Sequence, residues 1–133
     1  SEHFARDYMS YRSLSTEAEI KAALIELNKI CRGEAFITLG EKGCAFLKSG
    51  MLQIVPSWLC NAVDTTGAGD VFHGAFTYGV HYSWHIDIII LFASLTASIS
   101  IEKKGVRESM PDLAVVHHSL NSYERNLKQY FEE

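Results

Sequence analysis

The chain has 133 residues, of which 47% are hydrophobic, and it carries a formal net charge of −4 at pH 7. Its length and composition suit one hydrophobic core of ordinary domain size. The negative charge argues against nucleic-acid binding, which requires a concentrated basic surface. The one basic cluster, Lys103, Lys104 and Arg107, is bordered by Glu102 and Glu108 and is interpreted as a solvated turn.

The three cysteines are widely spaced and match neither a zinc site nor a disulfide framework, which favours a reducing, cytoplasmic location. No segment resembles a signal peptide. The longest apolar run, residues 86–101, contains Asp87 and four hydroxyl residues and is too short for a bilayer span. It is predicted to be a buried helix, and no membrane contact is expected.

The first predicted elements are a helix and a strand. Thr16 and Glu19 form a capping-box pattern that opens an amphipathic helix, and Gly33 is expected to end it. The short apolar run 35–39 lies between Gly33 and Gly40 and predicts a buried strand.

A hairpin is predicted next. Residues 41–43 are interpreted as a turn into a strand at 44–47, and Ser49 and Gly50 as a second turn into a strand at 51–55. Pro56 is expected to stop the last strand.

The remaining elements are predicted to be helices. A loop over 57–69 leads into a helix near 69–82, and the buried helix follows at about 85–103. Pro111 and Asp112 open a final helical region, with apolar positions at Leu113, Val116, Leu120, Tyr123, Leu127 and Phe131. This order of elements is typical of one wing of a layered α/β sandwich, and the chain reads as one domain or part of one.

Residues 64–74 (DTTGAGDVFHG) carry the strongest chemical signal. The first amides of a helix have no intrahelical partner, and the helix dipole makes that end partly positive. Gly67, Ala68 and Gly69 can therefore form an anion-binding nest of N–H groups. A carboxylate at Asp70 would repel a phosphate, so we interpret it as a base that accepts the proton of an attacking hydroxyl.

Three other interpretations of this segment were weighed. Asp70 could serve only as a helix N-cap, with the glycines forming a tight turn. A dinucleotide-binding fold is disfavoured because Phe72 occupies the place of its third glycine, and no clear strand runs into Gly67. A P-loop is disfavoured because no Gly-Lys-Ser/Thr follows the glycines.

The segment 64–70 resembles the C-terminal signature of the ribokinase-like carbohydrate kinases, also called the pfkB family. Residues 37–43 and the segment 103–111 resemble two further family segments, in the same order and at similar spacing. The resemblance implies an α/β fold, part of a ribokinase-like three-layer α/β/α sandwich. It also implies that residues 1–133 are the C-terminal nucleotide-binding and catalytic-base portion of a longer kinase, without the N-terminal sugar-binding half.

The implied activity is transfer of the ATP γ-phosphoryl group to a sugar hydroxyl, with this portion alone inactive toward sugars. ATP, Mg²⁺ and K⁺ are the implied cofactors, sugar and ATP are the partners, and a homodimer of the full-length protein is possible. Two alternatives remain open: a nucleoside kinase of the same fold, and a non-catalytic nucleotide-binding regulatory relative.

The resemblance also assigns candidate residues. Thr38, Gly40 and Gly43 match a nucleotide-contacting turn. Hairpin geometry alone is the competing interpretation of all three, and it is the preferred one for Gly43. The helix around Ser94 and Ala97 matches the adenine pocket. The residues that match monovalent-cation ligands are Asp64, Thr66, Ile101, Lys104 and Ser109. An Asx turn is the competing interpretation of Asp64. The family's magnesium-associated Asn-x-x-Glu motif is not matched by residues 1–4, so Mg²⁺ is expected to arrive with ATP.

Overall fold

The computed structural model describes residues 1–10 and 13–131, and for residues 123–131 it describes the backbone only. The chain forms two compact units, residues 1–57 and the part from residue 58 onwards. The first unit contains, in order, α1 (Glu2–Tyr8), α2 (Glu17–Ile30), β1 (Phe36–Thr38), a 3₁₀ turn (Gly40–Lys42), β2 (Cys44–Lys48) and β3 (Met51–Val55).

The capping box predicted for α2 is present. Thr16 Oγ1 accepts the Glu19 N–H at 3.3 Å, and Glu19 Oε2 accepts the Thr16 N–H at 2.9 Å. The helix ends at Ile30, because Cys31 is already extended, so Gly33 does not end it. Asn28 Oδ1 instead accepts the Ala35 N–H at 2.7 Å and directs the chain toward β1.

The predicted strand and hairpin are confirmed as a three-stranded antiparallel sheet in the order β1-β2-β3. Ile37 lies opposite Ala45, and Ala45 lies opposite Ile54. Ile37 and Ala45 belong to the core of this unit, in which α1 and α2 also take part, and the partly buried Ile54 packs against it. The buried residues of that core are Ala5, Leu14, Ile20, Ala23, Leu24, Leu27, Ala35, Ile37, Leu39 and Ala45.

The second unit contains three helices, α3 (Ala68–His81), α4 (Ile86–Ser100) and α5 (Leu113–Phe131). The predicted helices near 69–82 and 85–103 are confirmed as α3 and α4, the second being shorter than expected. Close packing of α3 on α4 requires Gly79, since a Cβ there would lie 2.9 Å from Ile89 Cγ1. The side chains of Tyr123, Leu127 and Phe131, predicted on the apolar face of α5, lie outside the described residues.

The hydroxyl groups that interrupt the apolar sequence of α4 all have backbone partners. Thr96 donates to the Phe92 carbonyl and Ser100 to the Ala97 carbonyl, each at 2.7 Å. These bonds remove the cost of burying a polar group, which explains how α4 buries four hydroxyls. Among the described residues, none of the helices combines the length and the apolar character that a membrane crossing requires.

Candidate active site

The glycine-rich turn leads directly into α3. Gly67 is the N-cap, with φ 76° and ψ 2°, in the left-handed region that glycine adopts at little cost. Val106 packs against it, because a Cβ on Gly67 would lie 2.9 Å from Val106 Cγ1. The helix begins at Ala68, so Asp70 is its third residue, and the interpretation of Asp70 as the N-cap is wrong.

Three amides at this helix start face no acceptor within the described part of the chain. The Ala68 N–H donates to the Thr65 carbonyl at 3.2 Å, whereas the N–H groups of Gly67, Gly69 and Asp70 have no such partner among the described residues. A Cβ on Gly69 would meet nothing within 4 Å, so the space above this turn is open. The unpaired amides of Gly67, Gly69 and Asp70, together with the helix dipole, favour an anion here.

The Asp70 carboxylate lies at the edge of this open space. Its side chain is exposed, and no described residue donates a hydrogen bond to it or forms an ion pair with it. A carboxylate without an internal partner is able to accept a proton from a bound hydroxyl. The site thus combines donors for a negative charge with one acceptor for a proton.

Asp64 joins the start of this turn to the segment that follows α4. Its Oδ1 accepts the Thr66 N–H at 3.1 Å, which is the predicted Asx turn, and its Oδ2 accepts the Gly105 N–H at 3.2 Å. Hydrogen bonds from the Thr66 side chain, the Thr66 amide and the Gly105 amide, with the charge of Lys104, lower the pKa of Asp64. The carboxylate is therefore ionised at neutral pH and fastens the two segments together.

The predicted cation ligands are brought together only in part. The Ile101 carbonyl accepts the N–H groups of Val63 at 2.7 Å and Asp64 at 3.1 Å, so both of its lone pairs are used and it does not fit a cation-ligand role. Ser109 is buried and donates its hydroxyl to the Gly105 carbonyl. No cluster of three or more His, Cys, Asp or Glu suited to a metal ion occurs within the described ranges.

Two serines of α4 form hydrogen bonds with the backbone of Trp58, in the loop before the glycine turn. Ser94 Oγ accepts the Trp58 N–H at 3.3 Å, and Ser98 Oγ donates to the Trp58 carbonyl at 3.2 Å. Ser94 is buried and Ala97 is half-buried on the same helix. The sequence pattern alone did not identify Trp58 as the neighbour of these two serines.

The three predicted nucleotide contacts of the first unit differ in surroundings. Thr38 ends β1, and Gly40 is exposed with φ 60° and open space around it. Gly43 is buried, and a Cβ there would lie 2.0 Å from the Val55 carbonyl oxygen. Hairpin packing therefore accounts fully for glycine at position 43, as the competing interpretation expected.

The sequence is similar to known sugar kinases. The sequence pattern of the pfkB family carbohydrate kinases matches residues 7–113. The ribokinase of Lactococcus lactis is 38% identical over 105 residues, which are 79% of this chain and 35% of that protein. The deoxyribokinase of Salmonella typhi is 33% identical over 100 residues, 75% of this chain and 33% of that protein. The chain thus spans about a third of the length of these relatives.

Solved structures show the same fold. The crystal structure of Arabidopsis thaliana ribokinase complexed with ribose and ATP superimposes with a TM-score of 0.80 at 28% identity, over 88% of this chain and 38% of that one. The crystal structure of Thermotoga maritima ribokinase gives a TM-score of 0.75 at 26% identity, over 90% of this chain and 39% of that one. The expected ribokinase-like α/β fold is therefore confirmed. By its matched length and by these relatives, the chain belongs to the pfkB family of carbohydrate kinases.

Proposed function

We propose that residues 1–133 are the C-terminal, nucleotide-binding and catalytic-base portion of an ATP-dependent carbohydrate kinase. The observation that carries the proposal is the start of α3, where the exposed Asp70 carboxylate adjoins backbone amides with no acceptor among the described residues. An amide nest beside one base is what transfer of a phosphoryl group to a hydroxyl requires.

Asp70 accepts the proton of a sugar hydroxyl as the hydroxyl oxygen attacks the γ-phosphorus of ATP. Such general-base assistance is worth about 10²–10⁴ in rate. The Gly69 and Asp70 amides donate to the negative charge that develops on the transferred phosphoryl oxygens. The Gly67 amide is a third proposed donor, whereas the Ala68 N–H is held by its bond to the Thr65 carbonyl and helps to shape the turn.

Nucleotide and cation roles complete the proposal. Thr38, Gly40, Ser94 and Ala97 are the proposed nucleotide contacts. Mg²⁺ supplies charge neutralisation when it enters with ATP. The proposed ligands for K⁺ are Asp64, Thr66, Lys104 and Ser109, of which the Lys104 carbonyl accepts no hydrogen bond from the described residues. Carboxylate, carbonyl and hydroxyl oxygens suit a hard cation.

A sugar is favoured over a nucleoside as the acceptor. Ribokinases and a deoxyribokinase are among the relatives that are more than 30% identical and align with most of this chain. Pentoses are therefore the first acceptors to test. A regulatory relative that binds ATP without turnover is disfavoured by Asp70, since a carboxylate beside the anion nest would only weaken phosphate binding.

Sugar-dependent ADP release by the full-length protein tests the proposal. Wild type, Asp70→Asn and the matched control Asp7→Asn are compared over a panel of pentoses, hexoses and nucleosides with Mg²⁺, in K⁺ or Na⁺ buffer. Asp7 is exposed on α1 and undergoes the same loss of charge. We expect turnover of wild type and Asp7→Asn on a sugar, and a loss of about 10²–10⁴ in Asp70→Asn with ATP affinity retained.

Two results would contradict the proposal. Near-full activity of Asp70→Asn would remove Asp70 as the base. ATP binding by wild type with no turnover on any acceptor would favour the regulatory relative. Equal rates in K⁺ and Na⁺ would remove the cation site and leave the kinase proposal intact.

A further inference from the structure

We propose that His73 is an acceptor-binding residue, whose imidazole makes a hydrogen bond to a second hydroxyl of the sugar that Asp70 deprotonates. This inference rests on the proposed kinase function. It assigns a contact with the sugar to a helix of this chain, next to the proposed base.

His73 lies on the same face of α3 as Asp70. Residues three apart on a helix are surface neighbours, with Cβ atoms about 5–6 Å apart. His73 is about 4.5 Å further along the axis, and helical side chains lean back toward the N-terminus. This geometry leaves the imidazole within reach of the turn that carries the Asp70 carboxylate.

The open face of α3 has room for a ligand. Asp70, His73, Gly74 and Thr77 are all exposed, and a Cβ on Gly74 would meet nothing within 4 Å. Glycine destabilises a helix interior relative to alanine, so an exposed Gly74 requires a reason. Nothing within the described residues supplies one, and a bound group that approaches this face closely would.

The hydrogen-bonding capacity of His73 is unused within the described part of the chain. Its ring makes one edge contact, with Phe72 at a centroid distance of 6.1 Å, and its nitrogens bond to no described residue. Thr77, one turn further, donates its hydroxyl to the His73 carbonyl at 2.8 Å and is thus already engaged. His73 is therefore the polar side chain nearest to Asp70 on this face with donor and acceptor available.

The chemistry of a polyol fits this pair. The neutral imidazole offers one donor and one acceptor, the same set that a hydroxyl offers. A sugar whose reacting hydroxyl bonds to Asp70 presents a neighbouring hydroxyl toward His73. Two such contacts orient the acceptor, so that the attacking oxygen points at the γ-phosphorus.

The experiment compares acceptor kinetics of the full-length wild type, His73→Ala, His73→Gln and the control His81→Ala. His81 is exposed on the same helix, near its far end. We expect His73→Ala to raise the KM for the sugar about three- to tenfold, as for loss of one neutral hydrogen bond, with the KM for ATP unchanged. His73→Gln, which keeps a donor, recovers part of the loss, and His81→Ala matches wild type.

A second measurement does not require turnover. The His73 imidazole proton resonance, assigned by its absence in His73→Ala, is followed as ribose is added to the full-length protein with a non-hydrolysable ATP analogue. A sugar-dependent shift supports the contact. An unchanged KM for the sugar in His73→Ala, or no shift while wild type turns over, would overturn this inference alone. Absence of turnover by wild type on any sugar would overturn the proposed function and the inference with it.

Discussion

Replacement of Gly67 by alanine tests whether the entry to α3 depends on glycine. A side chain in the left-handed region, where Gly67 has φ 76°, costs about 1–2 kcal/mol. The new Cβ would also lie 2.9 Å from Val106 Cγ1, and overpacking costs about 1–3 kcal/mol. Val106 is 36% exposed and able to shift, so the lower end applies. We expect the free energy of unfolding to fall by about 2–3 kcal/mol.

Urea unfolding followed by tryptophan fluorescence measures this loss. Both tryptophans, Trp58 and Trp84, lie in the same unit as Gly67, so their emission reports on that unit. With a slope of about 1–3 kcal/mol per molar urea, the midpoint falls by about 1 M. Gly69→Ala is the matched control, because its Cβ enters open space at a helical position, and we expect stability equal to wild type or higher by up to about 1 kcal/mol.

A double-mutant cycle separates the two costs at Gly67. In the background of Val106→Ala the clash is removed, so Gly67→Ala should lose about 1 kcal/mol less than it does alone. Equal midpoints for Gly67→Ala and Gly69→Ala would refute the argument from backbone conformation. Strict additivity of the Gly67 and Val106 substitutions would refute the argument from contact.

Three further predictions concern the same scaffold. Folding lowers the pKa of Asp64, so the ionised carboxylate stabilises the fold fully above the ordinary Asp pKa of about 3.9, and this contribution is lost as the pH falls through the lower folded value. The difference in free energy of unfolding between wild type and Asp64→Asn, measured from pH 7 to pH 3, should therefore shrink as the pH falls. A difference that stays constant would contradict this. Thr16→Ala should cost about 1 kcal/mol through loss of the capping box, against little change for Ser15→Ala, as measured by the melting temperature. Gly43→Ala should impair folding far more than Gly40→Ala, because only the former drives a Cβ into the β3 backbone; equal soluble yields and melting temperatures would be the contrary result.

Elements with local signals were predictable from the sequence. The capping box of Thr16 and Glu19 predicts the start of α2, and the glycine turns around β2 and β3 predict the hairpin. Helix α1 was missed, although Ser1 accepts the Phe4 N–H at 3.3 Å and is an ordinary N-cap. Residues 1–4 were compared only with the family's magnesium-associated motif, which they do not match, so that local signal was left unused.

Features of the site that depend on distant partners were not predictable from local pattern. The hydrogen bond from the Gly105 amide to Asp64 joins residues 41 apart in sequence, and the hydrogen bond from the Trp58 amide to Ser94 joins residues 36 apart. Such contacts are set by how α3 and α4 pack, which the spacing of residues does not encode. The bond of the Ala68 amide to Thr65 was missed for a related reason, because it depends on the exact turn that precedes the helix.

The hydrogen bonds between α4 and the Trp58 backbone have a consequence for recombination among related genes. The second unit begins at Trp58, and Ser94 and Ser98 of the same unit form hydrogen bonds with the backbone of that residue. A crossover between codons 57 and 58 would transfer the loop together with both of its anchors, and the bond between Asp64 and Gly105 would stay within one parent. A crossover a few codons later would leave Trp58 from one parent facing serines inherited from the other. The junction at 57 and 58 is therefore the point at which chimeras of related genes should best retain the structure around α3.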